Sequence, residues 1–227
     1  MDAIAKGREA PVLAGLLDRL RALMAERGAH PSRTVVLVPY AQLMPVARRA
    51  WARLAPDGFS PRFETTMNWA ARSGFAPDVQ DLSFDRGQDL LTARTWLEQA
   101  GLGRQAGLLA PRLVDAAWQL ASVAAAVHPA ARPEWAVQAR TQASVGLEHP
   151  VLAVEAAIAR IAIEWAAASG YAADALLADT PALQLDLLVV LEGLQPEPVA
   201  TAIAERLGER ALRWPLAQPA APAHIVL

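Results

Sequence analysis

Two short apolar runs decide the fold of this chain: TVVLV at residues 34–38 and LLVVL at residues 187–191. Neither run alternates between polar and apolar residues, which is typical of a strand that is buried on both faces of a parallel sheet. A loop and then an amphipathic helical pattern follow each run, at about 43–54 and 197–207. The two runs are therefore predicted to be parallel strands of one sheet in an α/β fold.

The other elements on either side of these runs have weaker patterns. Apolar residues at helical spacing predict an amphipathic helix from about residue 9 to residue 27. Short strands are predicted at 62–65, 210–215 and 224–227, and a helix-like segment follows the first of them. Because the chain ends inside an apolar run, we expect it to be a piece of a longer protein.

Between about residue 86 and residue 168 the apolar spacing is helical throughout, with Gly or Pro between segments and no strand pattern. This predicts a helical insertion subdomain at 86–179 within an α/β domain formed by 1–85 and 180–227. The apolar segment 150–168 contains three charged residues, each costing about 2.5–3.5 kcal/mol at the centre of a membrane-spanning helix. It is therefore interpreted as a buried helix.

The composition limits the function classes. The chain has 227 residues and no cysteine, which excludes disulfides, thiolate zinc sites and cysteine nucleophiles and fits a reducing compartment. No signal-peptide pattern is found at its start, so a cytoplasmic location is expected. A net charge of −2 provides no overall attraction for nucleic acid, so any DNA contact has to come from a local patch.

Catalytic motifs are missing where this fold class usually has them. The loop PYAQLMP at 39–45 contains none of the glycine, lysine, serine or threonine residues of a phosphate-binding loop. The second run ends in a lone acid, Glu192, rather than a pair, and Lys6 is the only lysine. The four histidines are far apart in sequence, which is unfavourable for a metal site. The sequence thus predicts no catalytic residue, no cofactor and no metal.

Two neighbouring segments are candidates for contact with DNA. Three arginines lie on the outer side of the predicted helix 43–54, and a polar segment follows the strand predicted at 62–65. The candidate contacts are Arg48, Arg49, Arg53, Thr65, Thr66, Asn68 and Trp69. Arginines can bind phosphate and the tryptophan can stack on a base, although a solvated arginine face is also consistent with the pattern.

Three segments resemble AddB-type subunits, which are inactivated superfamily 1 helicases fused to a PD-(D/E)xK nuclease. TVVLVPYAQLMPVARRAW at 34–51 resembles their opening strand and helix. ETTMNWA at 64–70 looks like the segment in the place of the second helicase motif. LLVVLEGLQPEP at 187–198 is similar to the strand that keeps an apolar run followed by Gly and loses the paired acids.

The resemblance implies a P-loop-NTPase-like parallel sheet with flanking helices, in which 211–214 lies between the two long runs and 62–65 lies beyond 187–191. It also implies a catalytically inactive scaffold or DNA-path module in double-strand break repair and recombination. The motor would belong to a helicase partner subunit, and the nuclease domain would lie downstream in the same polypeptide.

Two other functions remain open. One is a small-molecule enzyme that uses the crevice at the carboxyl ends of the strands, where open α/β sheets commonly bind ligands. The other is a protein-interaction domain built on the helical block. A convergent pocket would favour the enzyme, whereas a basic groove past Arg48, Arg49 and Asn68 would favour DNA.

Overall fold

The computed structural model of this chain describes residues 2–72, 74–178 and 184–216, with residues 2–11 described by their backbone alone. The chain divides into two compact units. One unit contains residues 1–69 and 181–227, and the other contains residues 70–180. The strand predicted at 224–227 lies outside the described residues.

The first unit is an α/β unit in which helices flank a four-stranded sheet. Its elements are α1 (Asp2–Arg27), β1 (Thr34–Leu37), α2 (Leu43–Leu54), β2 (Arg62–Glu64), β3 (Leu187–Glu192), α9 (Pro198–Leu207) and β4 (Ala211–Pro215). The helix α3 (Thr66–Ala71) begins directly after β2. The α/β class predicted from the two apolar runs is therefore confirmed.

All strand pairs in the sheet are parallel, and their order is β2-β1-β3-β4. The predicted parallel pairing of the two long runs is confirmed, with Val36 opposite Val189. The predicted strand order is wrong. Because β1 and β3 bond to each other directly, 211–214 cannot lie between them; β4 pairs with the other side of β3 and β2 with the other side of β1. The short α9 returns the chain beside the strand it left, as consecutive elements usually do.

The main core of the unit lies between the sheet and the helices α1 and α2. The buried side chains of this core include Leu17, Leu20, Trp51, Phe63 and Val189. Full burial of one such side chain contributes about 1.5–3 kcal/mol. The continuous apolar runs are explained by their position, since β1 and β3 are the two central strands and are covered on both faces.

The amino edge of the sheet is tied by one carboxylate. Asp186 accepts hydrogen bonds from the backbone N–H of His30 and from Nε of Arg33, both at 2.8 Å. The Arg33 guanidinium and then the His30 N–H hold the pKa of Asp186 below its usual range. These bonds connect the segment before β3 to the segment before β1, and so they support the register of the central pair.

The second unit is helical, with α4 (Arg86–Gln99), α5 (Ala106–Ala124), α6 (Arg132–Ser144), α7 (Ala153–Ala168) and α8 (Asp174–Leu177). Its interior is lined by small and apolar residues of α5 and α7, among them Ala117, Ala121 and Ala162. None of the helices in the described part of the chain is long and apolar enough to cross a membrane.

Residues 74–85 belong to the helical unit, whereas the sequence analysis places them at the end of the first segment, 1–85, of the α/β domain. Three bonds tie this irregular segment to the end of α7. Trp165 Nε1 donates to the carbonyl of Gln80 at 2.9 Å, and the N–H of Gly170 donates to Asp81 at 2.9 Å. The N–H of Leu82 donates to the hydroxyl of Ser169 at 3.0 Å.

One buried carboxylate fixes the end of the same segment. Asp89 is fully buried and accepts four hydrogen bonds: from the N–H and hydroxyl of Ser83, from the N–H of Phe84 and from Nε1 of Trp118. Phe84 has φ of 61°, a left-handed conformation that costs free energy in a residue other than glycine. The bonds to Asp89 offset that cost.

A buried arginine joins four segments of the helical unit. Arg132 is 4% exposed and donates to the carbonyls of Ala124 and Ser169, at 3.1 and 2.9 Å. It also forms a bidentate ion pair with Asp174 and lies over the ring of Tyr171. Burial raises the pKa of the Tyr171 hydroxyl. Every partner is a fixed group of the fold, so this arginine centre is structural.

Candidate nucleic-acid surface and carboxyl-edge crevice

The three arginines predicted to contact DNA are all exposed side chains of α2. Trp51 of α2 packs into the core, and residues of a helix are rotated by about 100° from one to the next. Arg48 therefore lies on the flank facing β2, whereas Arg49 and Arg53 point outward from the sheet. The latter two are one turn apart, about 6 Å along the helix axis.

These arginines differ in how they are held. Arg48 Nη2 donates to the carbonyl of Phe63 at 3.0 Å, so its guanidinium is fixed against the end of β2. Arg49 and Arg53 are exposed, and within the described residues neither has an acidic partner or a hydrogen bond. We name Arg48, Arg49 and Arg53 together the α2 arginine surface. It combines one positioned cation with two uncompensated ones.

The segment after β2 divides into an exposed and a buried part. Asn68 is exposed, its N–H bonds to the hydroxyl of half-buried Thr65, and its side-chain amide lies 3.5 Å from the sulfur of Met44 on α2. Asn68, a residue of α3, therefore lies beside the amino end of α2. Thr66 and Trp69 are buried, at 6% and 5% exposure.

The base-stacking role predicted for Trp69 is corrected by this burial. Thr66, Trp69 and Ala70 share one face of α3, because residues three and four apart lie on the same side of a helix, and that face is the buried one. The ring of Trp69 is therefore not available to a base. Thr66 is also withdrawn from the surface, since its hydroxyl donates to the carboxyl of Glu197.

A second feature is a crevice at the carboxyl edge of the sheet, between the ends of β1 and β3. It encloses about 250 Å³, and its lining includes Pro39, Tyr40, Glu192, Glu197 and Arg213. Glu192 thus lies across this edge from Pro39 and Tyr40 of the 39–45 loop.

Gly193 explains why the two strand ends come so close. A Cβ atom at this position would lie 2.8 Å from Cβ of Pro39 and 3.1 Å from the hydroxyl of Tyr40. Real Cβ atoms do not approach a rigid proline ring to that distance, so the close approach requires glycine. The glycine after the second apolar run therefore has a packing role.

The crevice contains two acidic side chains, Glu192 and Glu197, of which one is paired with a basic side chain. Arg213 is the one basic side chain among the residues that line it, and its guanidinium pairs with Glu192 at 2.5–2.6 Å. Partial burial raises the pKa of the Glu197 carboxyl, against the opposing effect of the hydrogen bonds from Thr66 and the N–H of Ala200. The lining contains one glycine, Gly193, and no lysine, whereas a phosphate-binding loop combines several glycine N–H groups with a lysine.

Several of these groups are missed by the sequence patterns. Glu197 lies between two prolines and has no motif around it, and Thr66 is identified only as a DNA contact. Their meeting depends on the strand order, which brings the segment after β2 close to the segment after β3. Within the described residues, no three histidine or acidic side chains come together as a metal site.

In comparisons with known proteins, no protein-family model, no curated protein and no solved structure matches this chain.

Proposed function

We propose that the α/β unit is a non-catalytic module that carries single-stranded DNA across the α2 arginine surface, within a cytoplasmic protein of double-strand break repair and recombination. The observation that carries this proposal is the pair Arg49 and Arg53, which are exposed and without a partner in the described residues. Uncompensated guanidinium groups one helical turn apart are suited to phosphate oxygens, which they bind with release of counterions.

The chemistry of neighbouring groups supports the same use. Arg48 is held by the carbonyl of Phe63, so one cation is already positioned, and Asn68 is exposed at the amino end of the same helix. A chain with a net charge of −2 does not attract DNA as a whole. Binding is therefore expected to be weak and local.

The helicase-derived origin of the unit, a partner subunit with the motor and a nuclease domain farther along the polypeptide belong to the same proposal. They rest on the likeness of three short segments to AddB-type subunits. The strand order that this likeness implies is not the order found, so the proposal depends on the surface chemistry of α2 rather than on connectivity.

The test is the affinity of the chain for a fluorescent single-stranded oligonucleotide, measured by anisotropy at low salt. Replacement of Arg48, Arg49 and Arg53 by alanine is expected to weaken binding about tenfold or more. The matched control removes three exposed arginines of the helical unit, Arg94, Arg104 and Arg160. Equal losses in the two triple variants would show that net charge, and not this surface, determines binding.

A second candidate, a small-molecule site in the carboxyl-edge crevice, is favoured by the strand order. The order β2-β1-β3-β4 places the point where the winding reverses between β1 and β3, which is where doubly wound sheets bind ligands. Because Arg213 is paired with Glu192, a neutral ligand suits the crevice better than a nucleotide, and we expect no ATP binding in calorimetry. Thr201 also lines the crevice, so a neutral metabolite whose thermal stabilisation of the chain is lost in Thr201→Val would support this candidate.

A further inference from the structure

A groove at the opposite edge of the sheet, between the carboxyl ends of α1 and α2, contains an exposed aromatic ring. The groove has a volume of about 520 Å³, and buried Met24 and Trp51 are among the residues that line it. The side chain of Phe59, on the loop between α2 and β2, forms part of its wall and is 70% exposed. A ring this open to solvent at the wall of a groove is accessible to a planar ligand such as a nucleic-acid base.

The exposed ring is held in place from two sides. Trp51 Nε1 donates to the carbonyl of Phe59 at 3.2 Å, which fixes its backbone against the core. The His30 ring packs against Phe59 with 5.5 Å between the ring centroids. A ring that is both positioned and exposed loses little conformational entropy when a second ring stacks on it.

The α2 arginine surface leads toward this groove. Leu54 and Ala55 line the groove and directly follow Arg53 along the chain, and Arg21 of α1 is fixed at the rim by a bond of 3.2 Å from its Nη1 to the carbonyl of Leu54. The charged residues of the lining are Arg21 and Asp57, which cancel. Phosphates would therefore bind to α2, and stacking rather than charge would hold a base in the groove.

We propose that this groove takes up a base of single-stranded DNA, stacked on Phe59, next to the phosphates bound by Arg49 and Arg53. The inference rests on the proposed function, since the arginines supply the charge complementarity that selects a nucleic acid over an apolar side chain of a protein. It assigns to Phe59 the stacking role that the burial of Trp69 rules out.

The experiment compares two strands of equal length, a thymidine oligonucleotide and one that has lost every base, by anisotropy with the full chain. The wild type is expected to bind the thymidine strand at least about fivefold more tightly, as one stacked base contributes. Phe59→Ala and Phe59→Leu are expected to remove this preference and to leave the salt dependence unchanged. Phe59→Tyr retains a ring and is expected to retain the preference.

The controls separate stacking from other effects. Leu194→Ala removes another large exposed side chain, 90% exposed at the far edge of the sheet, and is expected to change nothing. The stacking role of Phe59 would be overturned if the wild type bound both strands equally and with salt sensitivity, or if Phe59→Leu kept the preference for the thymidine strand. Neither result would contradict phosphate binding by the α2 arginine surface. Salt-insensitive binding would contradict the proposed function itself.

Discussion

The arginine centre of the helical unit and the α2 arginine surface use one residue type in opposite ways. Arg132 is 4% exposed, and its donors bind two backbone carbonyls and Asp174. Arg49 and Arg53 are exposed and have no partner within the described residues. The two sets of arginines differ in the number of hydrogen-bond donors that remain free. The donors of Arg132 bind groups of the fold, whereas those of Arg49 and Arg53 are free to bind a ligand.

The largest expected effect is at the buried centre. Arg132→Ala leaves Asp174 and two carbonyls without their partner, and breaking such a buried pair costs about 3–5 kcal/mol. Urea denaturation followed by circular dichroism measures this loss. The control is Arg94→Ala on the exposed face of α4, which is expected to change the free energy of unfolding by less than about 0.5 kcal/mol. A similarly small loss for Arg132→Ala would contradict the structural role.

A second buried group is expected to cost less. In Asp89→Asn an amide NH₂ replaces one acceptor oxygen, so one pair of donors, from Ser83 or from Phe84 and Trp118, loses its acceptor. Unsatisfied buried donors cost about 1–3 kcal/mol. The same denaturation experiment measures this, and limited proteolysis should show faster cleavage near Phe84, whose left-handed backbone has lost its support. Unchanged stability and cleavage would refute the anchoring role.

The strands of the sheet and the helices of the second unit show what sequence patterns can and cannot reveal about the fold. The strands 34–37 and 187–192 are predictable because burial on both faces demands continuous apolar residues. Their order is not, because no local pattern records which edges pair. The helix α6 lies inside the block predicted to be helical, but its bounds are not predictable, because apart from Arg132 only Ala136 is buried along it and it therefore has no apolar stripe.

The candidate site shows the same limit. The arginines of α2 are predictable as an exposed face, since they alternate with the core positions of an amphipathic helix. The exposure of Phe59 and the burial of Trp69 are not, because both depend on neighbours that are distant in sequence. Large aromatic side chains are usually buried, so composition gives no sign of which one is presented to solvent.

Glu197 is an exposed residue whose carboxyl is partly desolvated and has one side-chain partner, Thr66, so it combines features of both kinds of site. Burial raises the pKa of Glu197 in the folded protein above its value in the unfolded chain, which is about 4.3. The folded state is therefore favoured while Glu197 is protonated, and this contribution to stability is lost as the pH rises through the folded-state pKa. Melting temperatures of Glu197→Gln should therefore rise relative to the wild type between about pH 4 and pH 7. The control is Glu205→Gln on the exposed face of α9, and parallel curves for Glu197→Gln and wild type would refute the burial effect.

The smallest effects on stability are expected on α2. Arg48→Ala loses its bond to the carbonyl of Phe63 and is expected to cost about 0.5–1 kcal/mol. Arg49→Ala and Arg53→Ala should stay within about 0.5 kcal/mol of the wild type. Thermal denaturation of the three single variants sharpens the comparison. A cost for Arg49 or Arg53 above that for Arg48 would mean that these side chains support the fold after all.

The salt dependence of single-stranded DNA binding tests the central claim most directly. Each phosphate neutralised on a single strand contributes about −0.7 to the slope of log affinity against log salt, so three arginines predict a slope of about −2. The triple alanine variant at 48, 49 and 53 should lose this slope, whereas the variant at 94, 104 and 160 should keep it. An unchanged slope in the first variant, or no salt-dependent binding by the wild type, would contradict the role of the α2 arginine surface.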